Sequence, residues 1–166
     1  MESMEFDIDV HGLEEIAERL HASVEQMRDG MIAGVKKVGE VVRDAAQENL
    51  LTAGAIDTGE LFDSIQRGDV EILGDTAQVK VTAHAPHGTY VEFGTGPKGE
   101  ANHAGIDPSV SPTYRSTGWA FPLKDGTGFR YTEGMPARPF MYPAKKQTED
   151  KAQGIIAEEI RKAVSG

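Results

Sequence analysis

Two histidines three residues apart, His84 and His87, flank Pro86, and Glu92 and His103 follow. Imidazole nitrogens and a carboxylate oxygen are zinc ligands, and three of them with a bound water make a hydrolytic centre. One reading is therefore a small metal-dependent hydrolase built on His84, His87 and Glu92. Spacing alone does not fix a ligand geometry, and the same residues serve as ordinary polar loop residues. His11 and His21 are remote in sequence and read as surface residues. Gly94-Thr95-Gly96-Pro97-Lys98-Gly99 has the letters G-x-G-x-x-G. A dinucleotide site needs a strand before that motif and a helix after it. Here Pro97 and a long polar stretch follow, so the glycines read as a flexible exit from a helical turn. Lys98 precedes Gly99 and not Ser or Thr, unlike a Walker phosphate loop. Ser109, Ser111 and Ser116 lack a G-x-S-x-G turn. Asp57, Glu60 and Asp63 cluster, but capping and solvation explain them without catalysis. The expectation is no catalytic residue, no cofactor and no metal.

Composition narrows the class. The chain has 166 residues, enough for one domain with one core, and we expect a single domain over 1–166. It has no cysteine, which excludes disulfides and thiolate metal sites and fits a cytoplasmic site of synthesis. The formal net charge of -10 gives no general gain from releasing counterions on DNA. Its basic runs are no longer than two residues, as at Lys36-Lys37 and Lys145-Lys146, which read as solvated helix faces. An acidic wall can still surround DNA without holding it. No apolar run reaches the ~20 residues needed to cross a bilayer, so no membrane role is expected.

The elements that must position these residues follow from periodicity. Phe6, Ile8 and Val10 alternate with Asp7 and Asp9, which predicts a strand over residues 4–10 and a turn at Gly12. Leu13, Ile16, Leu20, Val24, Met27, Met31, Val35, Val38 and Val42 recur at helical spacing. Arg28-Asp29-Gly30 is the natural break, giving helices over about 12–28 and 30–52. The glycines and β-branched residues of the second half favour packing on a sheet over a coiled coil. Asp57 and Glu60 form a capping arrangement for a short helix carrying Leu61, Phe62 and Ile65. Strands are expected over Asp69 to Leu73 and Ala77 to His84, joined at Gly74-Asp75. A helical turn covers Gly88 to Phe93, stopped by Gly94. Residues 97–118 carry three prolines and read as a long loop, an interaction arm. Two short strands, Trp119 to Leu123 and Gly128 to Thr132, precede a stiff connector over 134–143 and a final helix over about 144–164. That helix has an apolar stripe of Ala152, Ile155, Ile156, Ile160, Ala163 and Val164. The fold class is α+β: a mainly antiparallel sheet packed against long N-terminal helices and a C-terminal helix, with a long loop arm.

Aromatic residues are unevenly placed. Apart from Phe6 and Phe62 they all follow residue 89, from Tyr90 and Phe93 through Trp119, Phe129 and Tyr131 to Tyr142. Core packing accounts for part of this, and interface anchoring for the rest.

Three ordered segments resemble the tail-component family of long-tailed bacteriophages, whose members are also called tail-completion or head–tail joining proteins. They are Asp57-Thr58-Gly59-Glu60-Leu61-Phe62-Asp63-Ser64-Ile65, the run from Ala85 to Gly96, and the run from Pro136 to Ala144 before the closing helix. The resemblance spans roughly residues 10–164. It implies a structural virion protein, not an enzyme, that forms a homo-oligomeric ring of six at the tail–head junction, or neck. Its partners would be the tail tube protein and the head-side connector protein, with DNA passing through unbound. Tyr90, Glu92, Phe93, Arg138 and Phe140 are the residues expected to shape the contact region; packing inside the subunit is the competing reading. Besides the hydrolase, a module that binds a host protein is an alternative. The segment from Lys98 to Gly118 is longer than the family pattern needs.

Overall fold

Leu13–Thr52 form one unbroken helix, α1, of 40 residues and so about 60 Å long. The computed structural model describes residues 13–74 and 76–165, with the side chains of 13–17 and Leu20 left aside. The strand expected over residues 4–10 and the turn at Gly12 lie outside that range. The expected break at Gly30 does not occur, and the reason is packing. A β-carbon on Gly30 would stand 2.6 Å from the Ile160 backbone, and one on Gly34 would stand 2.7 Å from Ile156. These glycines let α1 touch the last helix, α5 (Met141–Ser165), backbone to backbone. The two helices run antiparallel: Gly30 meets Ile160, Gly34 meets Ile156, and Asn49 accepts a bond from Gln147. Much of the α1 stripe therefore faces a helix, and its C-terminal half also meets a sheet, at Gly39 against Arg67 and Val79. Near the other end, α5 runs out, and Val24 and Met27 of α1 and Val164 of α5 are exposed.

After α1 comes a single turn of helix, α2 (Glu60–Asp63). Its cap differs from the sequence expectation. Gly59, in the left-handed region at φ 85°, stands at the N-cap, and the Thr58 hydroxyl accepts the Glu60 N–H at 3.3 Å. Strands β1 (Ile65–Leu73) and β2 (Thr76–Ala83) form an antiparallel hairpin. β1 starts earlier than expected because an irregularity between Arg67 and Val70 interrupts its alternation without ending it. Helix α3 (Gly88–Phe93) matches the expected turn. Next, α4 (Gly96–Ala101) occupies what reads in sequence as the start of the loop. A second antiparallel hairpin, β3 (Trp119–Pro122) and β4 (Phe129–Thr132), leads to the extended connector. Helix α5 begins three residues before the expected 144, because Pro143 falls in its first turn, where a missing N–H costs nothing. The fold is α+β, with two separate two-stranded antiparallel sheets in place of one larger sheet.

The core sits where the ends of these elements meet. Leu50 of α1, Leu61 of α2, Ile65 of β1, Val91 of α3, and Phe140 and Ala144 at the start of α5 are all buried. Burying side chains of this size contributes about 1.5–3 kcal/mol each.

Candidate functional site

Glu92 is the pivot of the region the sequence singles out. It is 6% exposed, on α3, and its carboxylate faces the start of α5. Oε2 accepts the backbone N–H of Phe140 at 2.7 Å and of Met141 at 2.9 Å; Oε1 accepts that of Tyr142 at 3.1 Å. A helix start leaves its first N–H groups without partners inside the helix, with a partial positive charge there. Here one remote carboxylate takes three of them, and Pro143 has none to offer. A second tie reinforces this, the Arg138 N–H donating to the Val91 carbonyl at 2.8 Å. Farther out, the Arg138 guanidinium donates to the Gly54 carbonyl at 3.1 Å, just past the end of α1. Asn49 donates to the Phe140 carbonyl at 3.1 Å. Thus Glu92, Arg138 and Phe140 converge on one knot that fastens α1, α3 and α5. Phe140 is 1% exposed and fills the core.

That geometry bears on the hydrolase reading. His84 and His87 are exposed, whereas both oxygens of Glu92 are committed to α5. Among the described residues no group of three His, Asp or Glu stands close enough to hold a metal ion. The G-x-G-x-x-G letters also have a mechanical explanation. A β-carbon on Gly94 would stand 2.6 Å from the Ala137 nitrogen, and one on Gly96 would stand 2.6 Å from the Glu133 carbonyl oxygen. Both glycines have positive φ, and Thr95 between them exchanges backbone bonds with Met135 at 2.9 and 3.1 Å. The motif is a crossing point of two chain segments.

Tyr90 and Phe93 lie on the other side of α3. Tyr90 is 59% exposed and Phe93 half-buried. They line an open, mainly apolar groove of about 800 Å³ with Val110, Tyr114, Trp119 and Met135. Its far wall is the long segment after α4, which folds back onto the domain. Tyr114 donates its hydroxyl to the Phe93 carbonyl at 2.8 Å and stacks on His103 at 5.6 Å. Burial, with the Glu100 charge adding to it, raises the Tyr114 pKa above its ordinary value. The Ala137 N–H donates to the Asn102 carbonyl at 2.8 Å. Asp107 closes a turn by accepting the Ser109 hydroxyl and N–H, which hold its carboxyl below the usual range. The Arg115 guanidinium lies 5.5 Å over the Trp119 ring.

Beyond Trp119 the β3–β4 hairpin is the most exposed aromatic surface among the described residues. Phe129 is 76% exposed, Tyr131 66% and Phe121 39%. These residues and Trp119 are missing from the five expected contact residues, although the excess of aromatics after residue 89 points toward them. Of the five, the structure brings Glu92, Arg138 and Phe140 together inside the subunit and leaves Tyr90 and Phe93 on the groove.

Comparison with known proteins supplies a family. Residues 14–94 match the family described as "Bacteriophage HK97-gp10, putative tail-component". No curated protein and no solved structure matches the chain. The matched residues run from the start of α1 through α2 and the first hairpin to the end of α3 at Gly94. The connector and α5, which carry the third resembling segment, lie beyond them. Among the described residues no helix is long and apolar enough to cross a membrane. From α1 to the Gly94 stop after α3, Glu92 included, the chain is similar to the HK97-gp10-like family of phage tail components.

Proposed function

We propose that the protein is a structural subunit that completes the tail or joins it to the head, forming a homo-oligomeric ring at the tail–head junction. The ring has six members, contacts the tail tube protein on one side and the head-side connector on the other, and lets DNA pass without gripping it. The chain is made in the host cytoplasm and ends in the neck of the virion, and its role is mechanical, not enzymatic. The observation that carries this reading is the exposed aromatic hairpin, with Phe129 and Tyr131 on one face and Phe121 on the other, next to the Tyr90–Trp119 groove, on a chain similar over residues 14–94 to a family of phage tail components. Large exposed apolar patches mark contact surfaces, and aromatic residues anchor them. A ring requires head-to-tail contacts between two different faces of each subunit. The net charge of -10 agrees with a channel that repels DNA.

Mass measurement of the purified protein at increasing concentration tests this. The expected result is a closed oligomer that dissociates when Phe129 and Tyr131 are both replaced by Ser. A protein that stays monomeric at every concentration and is absent from phage particles would overturn the reading.

A further inference from the structure

The segment between α4 and β3 lies over apolar surface but is fastened to little of it. Its root is pinned where the Asn102 carbonyl accepts the Ala137 N–H, and its far end where Trp119 pairs with Thr132. Between these points residues 104–117 form no helix and no strand. Among the described residues, none of them exchanges a backbone hydrogen bond with the rest of the chain. The Val110 N–H donates to the Asp107 carbonyl at 3.0 Å, and the Asp107–Ser109 turn is internal as well. No residue of 104–117 is fully buried, and only Ile106, Asp107, Pro112 and Tyr114 are half-buried.

Tyr114 is the exception to this loose attachment. Its ring stacks on His103 and lies so close to α4 that a β-carbon on Gly99 would stand 2.9 Å from it. Its hydroxyl donates to the Phe93 carbonyl at 2.8 Å. Among the described residues this is the one hydrogen bond joining 104–117 to the body of the domain. The remaining attractions are less directional. Lys145 and Lys146 of α5 attract the Asp107 carboxylate, and Arg115 lies over Trp119 at the segment's own end.

The surface beneath is apolar and continuous. The Tyr90–Trp119 groove of about 800 Å³ and a second groove of about 630 Å³, against Val38, Val79 and Met141, share Thr89, Phe93 and Val110. Thr89 and Phe93 belong to α3, so Val110 of the segment stands across α3 between the two grooves. Local opening concentrates where buried contacts are few and no backbone ladder resists it.

We infer that residues 104–117 are a tethered strap that opens as a unit while the rest of the domain stays folded, with Tyr114 as its latch. Closed, the strap parts the two grooves and half-covers the α3 wall. Open, it joins them and bares Phe93. The device belongs to the single subunit and does not depend on ring closure.

The chain has no cysteine, so two introduced cysteines take spin labels cleanly. Full-length chain carrying Ser111→Cys on the strap and Gln153→Cys on α5, both exposed positions, is diluted in excess unlabelled chain, and pulsed electron paramagnetic resonance reads the distance within one subunit. The same pair is measured with Tyr114→Phe, which keeps the ring and its stacking and removes the hydroxyl, and with Tyr114→Phe and Val110→Ser together. Two distances are expected. One hydrogen bond shifts such an equilibrium by roughly 2- to 12-fold, so Tyr114→Phe raises the ratio of the longer to the shorter by about that factor. The double variant raises it further, binding of 8-anilinonaphthalene-1-sulfonate rises in step, and the helix circular dichroism stays unchanged. A single distance in every chain, or two distances whose ratio ignores Tyr114→Phe, would overturn the strap. So would a Tyr114→Phe chain that loses its helix signal, since the segment would then be inseparable from the fold.

Discussion

The two ends of this molecule solve opposite problems. Around Phe140 the chain is fully satisfied: the ring is buried in one cluster with Leu50, Leu61 and Val91, Glu92 takes the free N–H groups of α5, and no described buried side-chain polar atom lacks a partner. Around the β3–β4 hairpin, large rings stand in solvent, with Phe129 76% exposed and Tyr131 66% exposed. One region holds the subunit together and gains nothing from a partner. The other contributes little to the isolated fold and has surface to gain by association. Substitutions in the first should change stability with little regard to assembly, and substitutions in the second should do the reverse.

The largest effect should come from Phe140→Ala, which empties the core and should cost about 3–5 kcal/mol in urea denaturation. Glu92→Ala should follow at roughly 2–4 kcal/mol, since it strips the α5 start of its acceptor. Glu92→Gln is sharper still as a probe of the mechanism. It keeps the volume but points an amide donor at N–H donors, so it should also destabilise; full stability in Glu92→Gln would mean that packing and not capping is the role. Gly34→Val should cost roughly 1–3 kcal/mol by forcing α1 and α5 apart, and thermal unfolding would read it. Replacing Phe129 and Tyr131 by Ser should move the stability of the isolated chain by less than about 0.5 kcal/mol while lowering its oligomer mass. A large loss of stability there would erase the contrast between the two regions.

The smallest effect concerns pH. The Tyr114 pKa is raised above 10.0 in the folded chain, so the fold binds that proton more tightly than the unfolded chain does. The stabilisation is complete below pH 10 and is lost as pH rises from there through the folded value. Fluorescence of the single Trp, Trp119 on the same groove, should shift in that range before the helix signal falls. Simultaneous loss of both signals would place Tyr114 in the global fold and not in the groove wall.

Much of the fold is legible from residue patterns, and the differences share a cause. The turn at Gly88–Phe93, both hairpins and α5 follow from alternation, helical spacing and glycine stops. The break at Gly30 does not exist, because propensity sees a helix-weakening residue where the fold needs a close approach to Ile160. Gly59 displaces Asp57 from the α2 cap for a similar local reason, a left-handed backbone that composition does not reveal. The α4 turn is hidden in sequence because Pro97 and two glycines look like loop. For the site, Glu92 stands out in the sequence, but its partners lie 48 to 50 residues away, and no local pattern links them. The aromatic hairpin is visible as composition only; exposure is a tertiary property, and alternation in a strand of four residues is too short to show it.

The claim that this is a structural subunit of the tail–head junction is tested most directly by electron microscopy of the phage particles that carry it. The account predicts a ring of subunits between tail tube and connector, into which the α1–α5 helix pair and both hairpins can be placed. Particles whose neck is fully accounted for by other chains, with this protein absent from the purified virion, would contradict it.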